Sequence, residues 1–399
     1  MASLTINHAA GDKLLEQANE LVNARQFHSI AWQLRQSGSI LSEGMRSVDA
    51  SALPSGEPIY RIYSMTKPLV SIVALLLIEE GKLSLNEPVA NYIPAFKDLK
   101  VLRPNGQTEP LQQAITIAHL LTHTGGFSYD FLPHCSVAEQ YRDAQISGDA
   151  SRSLSEVMGL LTTMPLASQP GEQWRYSVST DVLAHVLENA SGESLPELLN
   201  NRLFIPLGMS DTAFHVPEEK QNRLLTMYGA RDLGQVLIES DAPNELNEIN
   251  VEASYPLNKP EAFYRGGHGL YSTQADYLKF MDMLVDGVSA DGTRIASENT
   301  VKVMWENKMA GDMLPLVLGF NSMDGYGWNL FGRVMQSPEQ SLIRSAKGEG
   351  GWSGAASTYF WVDRNNGISG IVMTQYIGST AYVGPMMQHA AYGMFGSGA

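Results

Sequence analysis

Ser64-Met65-Thr66-Lys67 is the only Ser-x-x-Lys in the chain, and it brings a hydroxyl and an amine to the head of an apolar run. A serine attacks a carbonyl well only when a neighbouring group takes its proton, and a desolvated lysine amine can do so. Pro68 follows directly, and Leu69 to Ile78 is mostly apolar up to Glu79-Glu80-Gly81. Proline in a first helical turn costs no hydrogen bond and glycine stops a helix, so this spacing predicts a buried helix with Ser64 at its N-terminus. There, unpaired N–H groups and the positive dipole end favour developing negative charge. Lys67, three residues on, projects its amine on the same side as the hydroxyl. Read alone, the tetrapeptide also fits a plain N-cap serine beside a solvated lysine.

Two other segments carry groups of a useful kind. Gly171-Glu172-Gln173-Trp174-Arg175-Tyr176 runs from a Pro-Gly turn to Ser179-Thr180-Asp181, which opens a helix over 181–190. Tyr176 is thereby placed in a loop just ahead of a helix, aimed at a cleft. A phenol titrates near about 10, and a lysine cation beside it favours the phenolate. Lys67 next to Tyr176 would therefore make a usable general base, although a lone tyrosine is more simply a packed aromatic. Gly350-Gly351-Trp352-Ser353-Gly354-Ala355-Ala356 precedes a strand over 357–363. Small residues such as Ser353 and Gly354 let a substrate approach the strand backbone, and the same run also fits a Gly-rich turn into an edge strand.

The elements that must position these groups follow from periodicity. Residues 12–26 read as an amphipathic helix with Leu14, Leu15, Ala18, Leu21 and Val22 on one face. Residues 29–35 and 39–44 flank Gln36-Ser37-Gly38 as a strand pair. Helical stretches are expected at 116–122, 153–163, 179–191, 195–203 and 273–286. Residues 357–363 and 368–374, joined by Arg364-Asn365-Asn366-Gly367, make the clearest hairpin. Strands at both ends with a helical middle predict an α+β fold: an antiparallel β-sheet flanked by helices, with an inserted mainly helical lobe. The expected division is a discontinuous sheet domain, 1–90 and 255–399, and a helical domain, 91–254, with a ligand cleft between them.

The composition narrows the partners. A net charge of −15 over 399 residues argues against nucleic acid or an anionic membrane surface. Cys135 is the single cysteine, so no disulfide framework or Cys-based metal cluster is expected. The opening segment lacks a basic stretch followed by an apolar one, and residues 69–78 are too few to span a bilayer, so a soluble cytoplasmic protein is expected. Oligomeric state is not set by the sequence.

Taken in order, these segments resemble the serine β-lactamase and penicillin-binding-protein superfamily, and more particularly its class C branch and the family VIII carboxylesterases. Ser64-Met65-Thr66-Lys67 looks like the first motif, Tyr176-Ser177-Val178 matches Tyr-x-Asn at its first position, and Trp352-Ser353-Gly354 occupies the place of Lys-Thr-Gly. Ile117 to Gly126, Leu203 to Met209 and Gly266-Gly267-His268-Gly269-Leu270-Tyr271-Ser272-Thr273 are also similar to this family, so the likeness spans roughly residues 20–380. The resemblance implies an acyl-enzyme at Ser64, with Lys67 and Tyr176 sharing the proton and the amides of Ser64 and Ala355 holding the oxyanion. Two departures bear on substrate. Val178 stands where β-lactamases carry an Asn that contacts the substrate amide, and valine cannot make that hydrogen bond. Trp352 replaces a lysine, supplying apolar area and one N–H but no cation. Both suit a small neutral ester, with Phe127, Tyr129 and Phe131 as rim residues.

Other readings compete. His119 and His123 stand at i, i+4 as in a zinc helix, but Leu120 takes the place of the glutamate that the zinc protease pattern needs. No Gly-x-Ser-x-Gly occurs, because Gly351-Trp352-Ser353-Gly354-Ala355 fails at its last position. The expectation is a serine carboxylesterase with no cofactor and no metal. The alternatives are a β-lactamase, a D-amino-acid peptidase or amidase, an acyltransferase, or a silent binding protein on the same fold.

Overall fold

Side-chain alternation assembles the central sheet of the computed structural model, which describes residues 4–7, 11–229, 246–257 and 263–396. The opening segment read for a leader lies partly outside the described residues. Helix α1 (Lys13–Asn23) begins at Asp12, whose carboxylate accepts from the Leu15 amide, and turns Leu14, Ala18, Leu21 and Val22 inward. Strands β1 (Ser29–Gln36) and β2 (Ser39–Ser47) form a hairpin with a register shift between Leu34 and Arg35. Ile30, Trp32 and Leu34 join the core on the α1 side, whereas Ala31 joins the opposite one, as the pleat requires.

Helix α2 (Thr66–Glu79) is buried at every residue from Thr66 to Leu77, the outcome that a run apolar on all sides dictates. The middle of the chain supplies α3 (Ile117–Leu121), α4 (Ser136–Asp143), α5 (Leu154–Leu161), α6 (Ser179–Ser191) and α7 (Leu195–Leu199). The helix expected over 195–203 divides, since α7 gives way to a π-helical turn at Asn200–Phe204. Helices α8 (Gln274–Asp286) and α9 (Glu298–Trp305) then lead to β3 (Tyr326–Trp328), β4 (Arg333–Met335), β5 (Gly350–Ser353), β6 (Tyr359–Asp363) and β7 (Ile368–Met373), and α10 (Val383–Tyr392) follows.

The strand order is β3-β4-β5-β6-β7-β1-β2, and each neighbour is antiparallel. Strand β7 pairs with β1 from Ile368 opposite Gln36 to Met373 opposite Ala31. The two ends of the chain are thus sewn into one sheet. Helices α1 and α10 cover one face around Trp32, Trp361, Val372 and Met387. The opposite face, with Phe360, Ile371 and Met373, shares a core with α2, α6 and α8. This is the expected α+β class, an antiparallel sheet flanked by helices. No helix among the described residues is long and apolar enough to cross a membrane.

Candidate active site

Ser64 lies in a 3-10 turn, Tyr63–Met65, that runs straight into α2 without any side-chain cap. Its hydroxyl is therefore not engaged as a helix cap. Tyr63, one residue earlier, has φ 43, a left-handed conformation that a tyrosine adopts rarely and that persists only when its surroundings hold it. The surroundings do so at both ends. The Ile62 amide donates to Leu270 O at 3.1 Å, and the Tyr277 hydroxyl of α8 donates to Met65 O at 2.9 Å. The fully buried Tyr255 hydroxyl donates to the same Leu270 carbonyl.

Lys67, only 2% exposed, points its Nζ at three oxygens: Ser64 Oγ at 3.1 Å, the Tyr129 hydroxyl at 2.7 Å and Gly267 O at 2.8 Å. Burial brings the amine down to about 7, against the opposing charge of Asp181. Near neutral pH a large share of it is thus unprotonated and able to take the Ser64 proton. Asp181, in the first turn of α6, accepts from the Gly267 amide at 3.0 Å. Its own carboxyl is raised by burial, with the Lys67 charge and the Gly267 amide acting the other way. A Cβ on Gly267 would stand 2.6 Å from both the Asp181 carboxylate and the Tyr129 hydroxyl, so this close approach requires glycine.

Tyr176 is buried, and its hydroxyl accepts from Trp352 Nε1 at 3.1 Å. Its ring packs on His123, with centroids 4.9 Å apart, and on Trp352 at 5.2 Å. Burial pushes the phenol up, opposed by hydrogen bonds with Ser64 and Trp352. Burial therefore favours a neutral amine on Lys67 and a protonated phenol on Tyr176, rather than the phenolate expected from pairing the two. The amine meets Tyr176 through the ring face, 4.7 Å from its centroid.

The two histidines have separate tasks. His119 Nδ1 accepts from the Thr116 amide at 3.2 Å and closes a capping box on α3. His123 lies 3.2 Å from Ser177 Oγ, and burial holds its ring well below the usual imidazole range. Among the described residues, no group of three or more His, Cys, Asp or Glu is arranged to hold a metal ion.

Trp352 and Ser353 end β5, and Gly354 and Ala355 enter the turn after it. Gly354 N donates to Thr358 O at 2.8 Å and Ser357 N to Gly354 O at 3.0 Å, so the turn's own bonds do not use the Ala355 amide. A Cβ on Gly354 would lie 2.4 Å from Ile62 O. The turn is thus seated against the backbone two residues ahead of Ser64, and the Ser64 and Ala355 amides belong to adjoining stretches of chain.

Packing also sets where the remaining site candidates lie. Val178 is buried at the N-cap of α6, its amide donating to Ser128 O at 3.2 Å. Tyr129, expected on the rim, is buried beneath it as the partner of Lys67. Phe131 is half-buried and stacks on Tyr129 with centroids 4.7 Å apart. Phe127 is buried in the core. Asp181 and Gly267 belong to segments visible in the sequence, a helix start and a Gly-rich run, but their link to Lys67 arises only on folding.

Residues 12–385 match the family described as Beta-lactamase. Protein Rv1367c of Mycobacterium tuberculosis is 30% identical over 354 residues, covering 84% of this chain and 82% of that protein. Esterase EstB of Burkholderia gladioli is 26% identical over 357 residues, covering 86% of this chain and 83% of its own. Among solved structures, EstCE1, a hydrolase with promiscuous acyltransferase activity, has a similar fold: TM-score 0.80 over 96% of this chain and 99% of its own, at 22% identity.

Proposed function

The chain belongs to the beta-lactamase family, and from that premise we propose that it is a serine hydrolase of small neutral carboxylic esters working through an acyl-enzyme at Ser64. The observation that carries this reading is the Lys67 amine, lowered to about 7 and 3.1 Å from Ser64 Oγ. In this reading Lys67 takes the Ser64 proton as Oγ attacks the ester carbonyl. The Ser64 and Ala355 amides hold the tetrahedral oxyanion. Tyr176 gives its proton to the departing alkoxide as the C–O bond breaks, and the Lys67 cation across its ring face offsets the charge left on the phenolate. Water then attacks the acyl-enzyme, losing a proton to the same pair, and the acid leaves as Ser64 is reprotonated. No step needs a cofactor. The relation to an esterase and the presence of Trp352 in place of a cation both support an ester over an anionic substrate. Acyl transfer shares every step up to the acyl-enzyme and differs only in which nucleophile follows.

The test is covalent labelling. A fluorophosphonate should add once, on the peptide that holds Ser64, and Ser64→Ala should lower ester turnover by roughly three orders of magnitude or more. Labelling of another serine, with activity retained in Ser64→Ala, overturns the reading.

A further inference from the structure

A cleft of about 780 Å³ opens beside the end of β5. One wall is Trp352, Gly354 and Ala355; Leu318 and Met323 of a two-stranded hairpin form another, with Ala381 and Val383 at the head of α10. Its mouth is unusually apolar. Six large hydrophobic residues are prominently exposed among those described; two of them line this opening and two more stand on the adjoining hairpin. Leu342 (89%) and Tyr382 (56%) line it, while Val317 and Phe320 flank Leu318 on the hairpin. Exposed apolar side chains are ordinarily scattered singly, and a cluster around one concavity marks a binding site.

The floor offers no charge to a ligand. Arg333 bonds the wholly buried Glu349 at 3.0 Å, the Tyr359 hydroxyl at 2.6 Å and Gln388 at 3.2 Å, and the Tyr326 hydroxyl donates to Glu349 at 2.9 Å. The other charged lining residue, Asp324, sits on the exposed turn between the hairpin and β3 and accepts from Ser322. The cleft adjoins the reaction centre through Trp352, whose indole N–H donates to the Tyr176 hydroxyl. Its wall is the turn bearing the Ala355 amide. Its hairpin reaches across through Phe320, whose ring packs on His134 at 5.5 Å, three residues beyond Phe131.

We propose that this cleft receives a bulky, uncharged, apolar substituent of the ester, making esters with such a group better substrates than simple acetates. The proposal rests on the ester-hydrolase reading and specifies its substrate class. Ligand clefts generally occupy about 300–1,000 Å³, and an acetyl group would leave this one nearly empty.

Two substrate pairs separate the acyl from the alcohol side: p-nitrophenyl cyclohexanecarboxylate against p-nitrophenyl acetate, and cyclohexylmethyl acetate against methyl acetate. In one pair the bulky ester should have a kcat/KM at least about tenfold higher. Leu342→Asp, which places a charge at the mouth, and Ala381→Phe, which fills the interior, should each reduce that ratio about tenfold. Ile205→Ser, at an exposed apolar residue elsewhere, should leave it unchanged. Ser64-dependent acetate turnover with no bulky preference in either pair, or with ratios indifferent to both cleft variants, overturns the cleft alone. Absence of any Ser64-dependent ester turnover overturns the hydrolase reading and this proposal with it.

Discussion

The Lys67 amine makes its shortest contact with the Tyr129 hydroxyl, at 2.7 Å, and meets Tyr176 only through the face of its ring. Two tyrosines thus flank one amine with divided tasks. Tyr129 holds Nζ beside Ser64, while the Tyr176 hydroxyl accepts from Trp352 Nε1 and is the group proposed to protonate the leaving alkoxide.

Tyr129→Phe keeps the ring and removes the hydroxyl, leaving a buried donor on Lys67 without that partner. Such a loss costs about 1–3 kcal/mol, which corresponds to a fall in kcat/KM of roughly 10- to 100-fold. Tyr176→Phe, which removes the proposed proton donor, should cost roughly 10²- to 10⁴-fold on an alkyl ester whose alkoxide needs that proton. Steady-state rates on ethyl butyrate by pH-stat compare the two. Wild-type rates in Tyr176→Phe would remove it from the mechanism.

Activity should follow the unprotonated fraction of Lys67. Its amine sits near 7 because burial disfavours the cation, so kcat/KM should rise with pH through about 7 and level off above. Asp181 opposes that effect by favouring the cation. Asp181→Asn keeps an oxygen for the Gly267 amide but removes the charge, and the rising limb should move to lower pH. A limb that stays in place or moves upward in a pH–rate profile contradicts this account.

Gly354→Ala would place a methyl group 2.4 Å from Ile62 O and 2.3 Å from Thr358 Oγ1. The turn must shift away from the Ser64 backbone, and the Ala355 amide goes with it. Losing one oxyanion donor commonly costs about 10²- to 10³-fold in kcat, and partial displacement should give at least the lower part of that range. An unchanged far-UV spectrum alongside this loss assigns it to the site. Full activity would mean that the amide plays no part.

Esters should be hydrolysed far better than cephalosporins. Trp352 brings no cation for a β-lactam carboxylate, and Val178 brings no side-chain amide. At about 1–3 kcal/mol for each missing partner, the two together lower relative rates by roughly two to four orders of magnitude. A chromogenic cephalosporin turned over as fast as p-nitrophenyl acetate would contradict the ester assignment.

Much of the site was legible because its chemistry is local. Ser64 and Lys67 share three residues of sequence ahead of a run too apolar to be anything but a buried helix. The hairpin ending at Met373 announces itself through alternation. What stayed hidden depends on contacts between distant segments. Tyr129 reads as one more aromatic near Phe127 and Phe131 until folding sets its hydroxyl against Lys67. Asp181 reads as an ordinary acidic residue in a first helical turn, and only burial beside Gly267 couples it to the amine. For Val178 the motif fixes only where the backbone runs, and folding buries its side chain at the N-cap of α6. The left-handed φ of Tyr63 has no trace in the sequence, since tyrosine carries none of the freedom that marks such positions.

The pairing of β1 with β7 has a consequence for biosynthesis. On a translating ribosome the β1–β2 hairpin emerges early, with one row of β1 amides and carbonyls still unpaired. That edge, backed by Ile30, Trp32 and Leu34, must wait until β7 has left the exit tunnel. Closing so long a loop is slow, and an open apolar edge invites pairing with other chains meanwhile. Yield from cells should therefore respond to slower synthesis, lower temperature or added chaperone more strongly than the finished protein's resistance to heat would suggest.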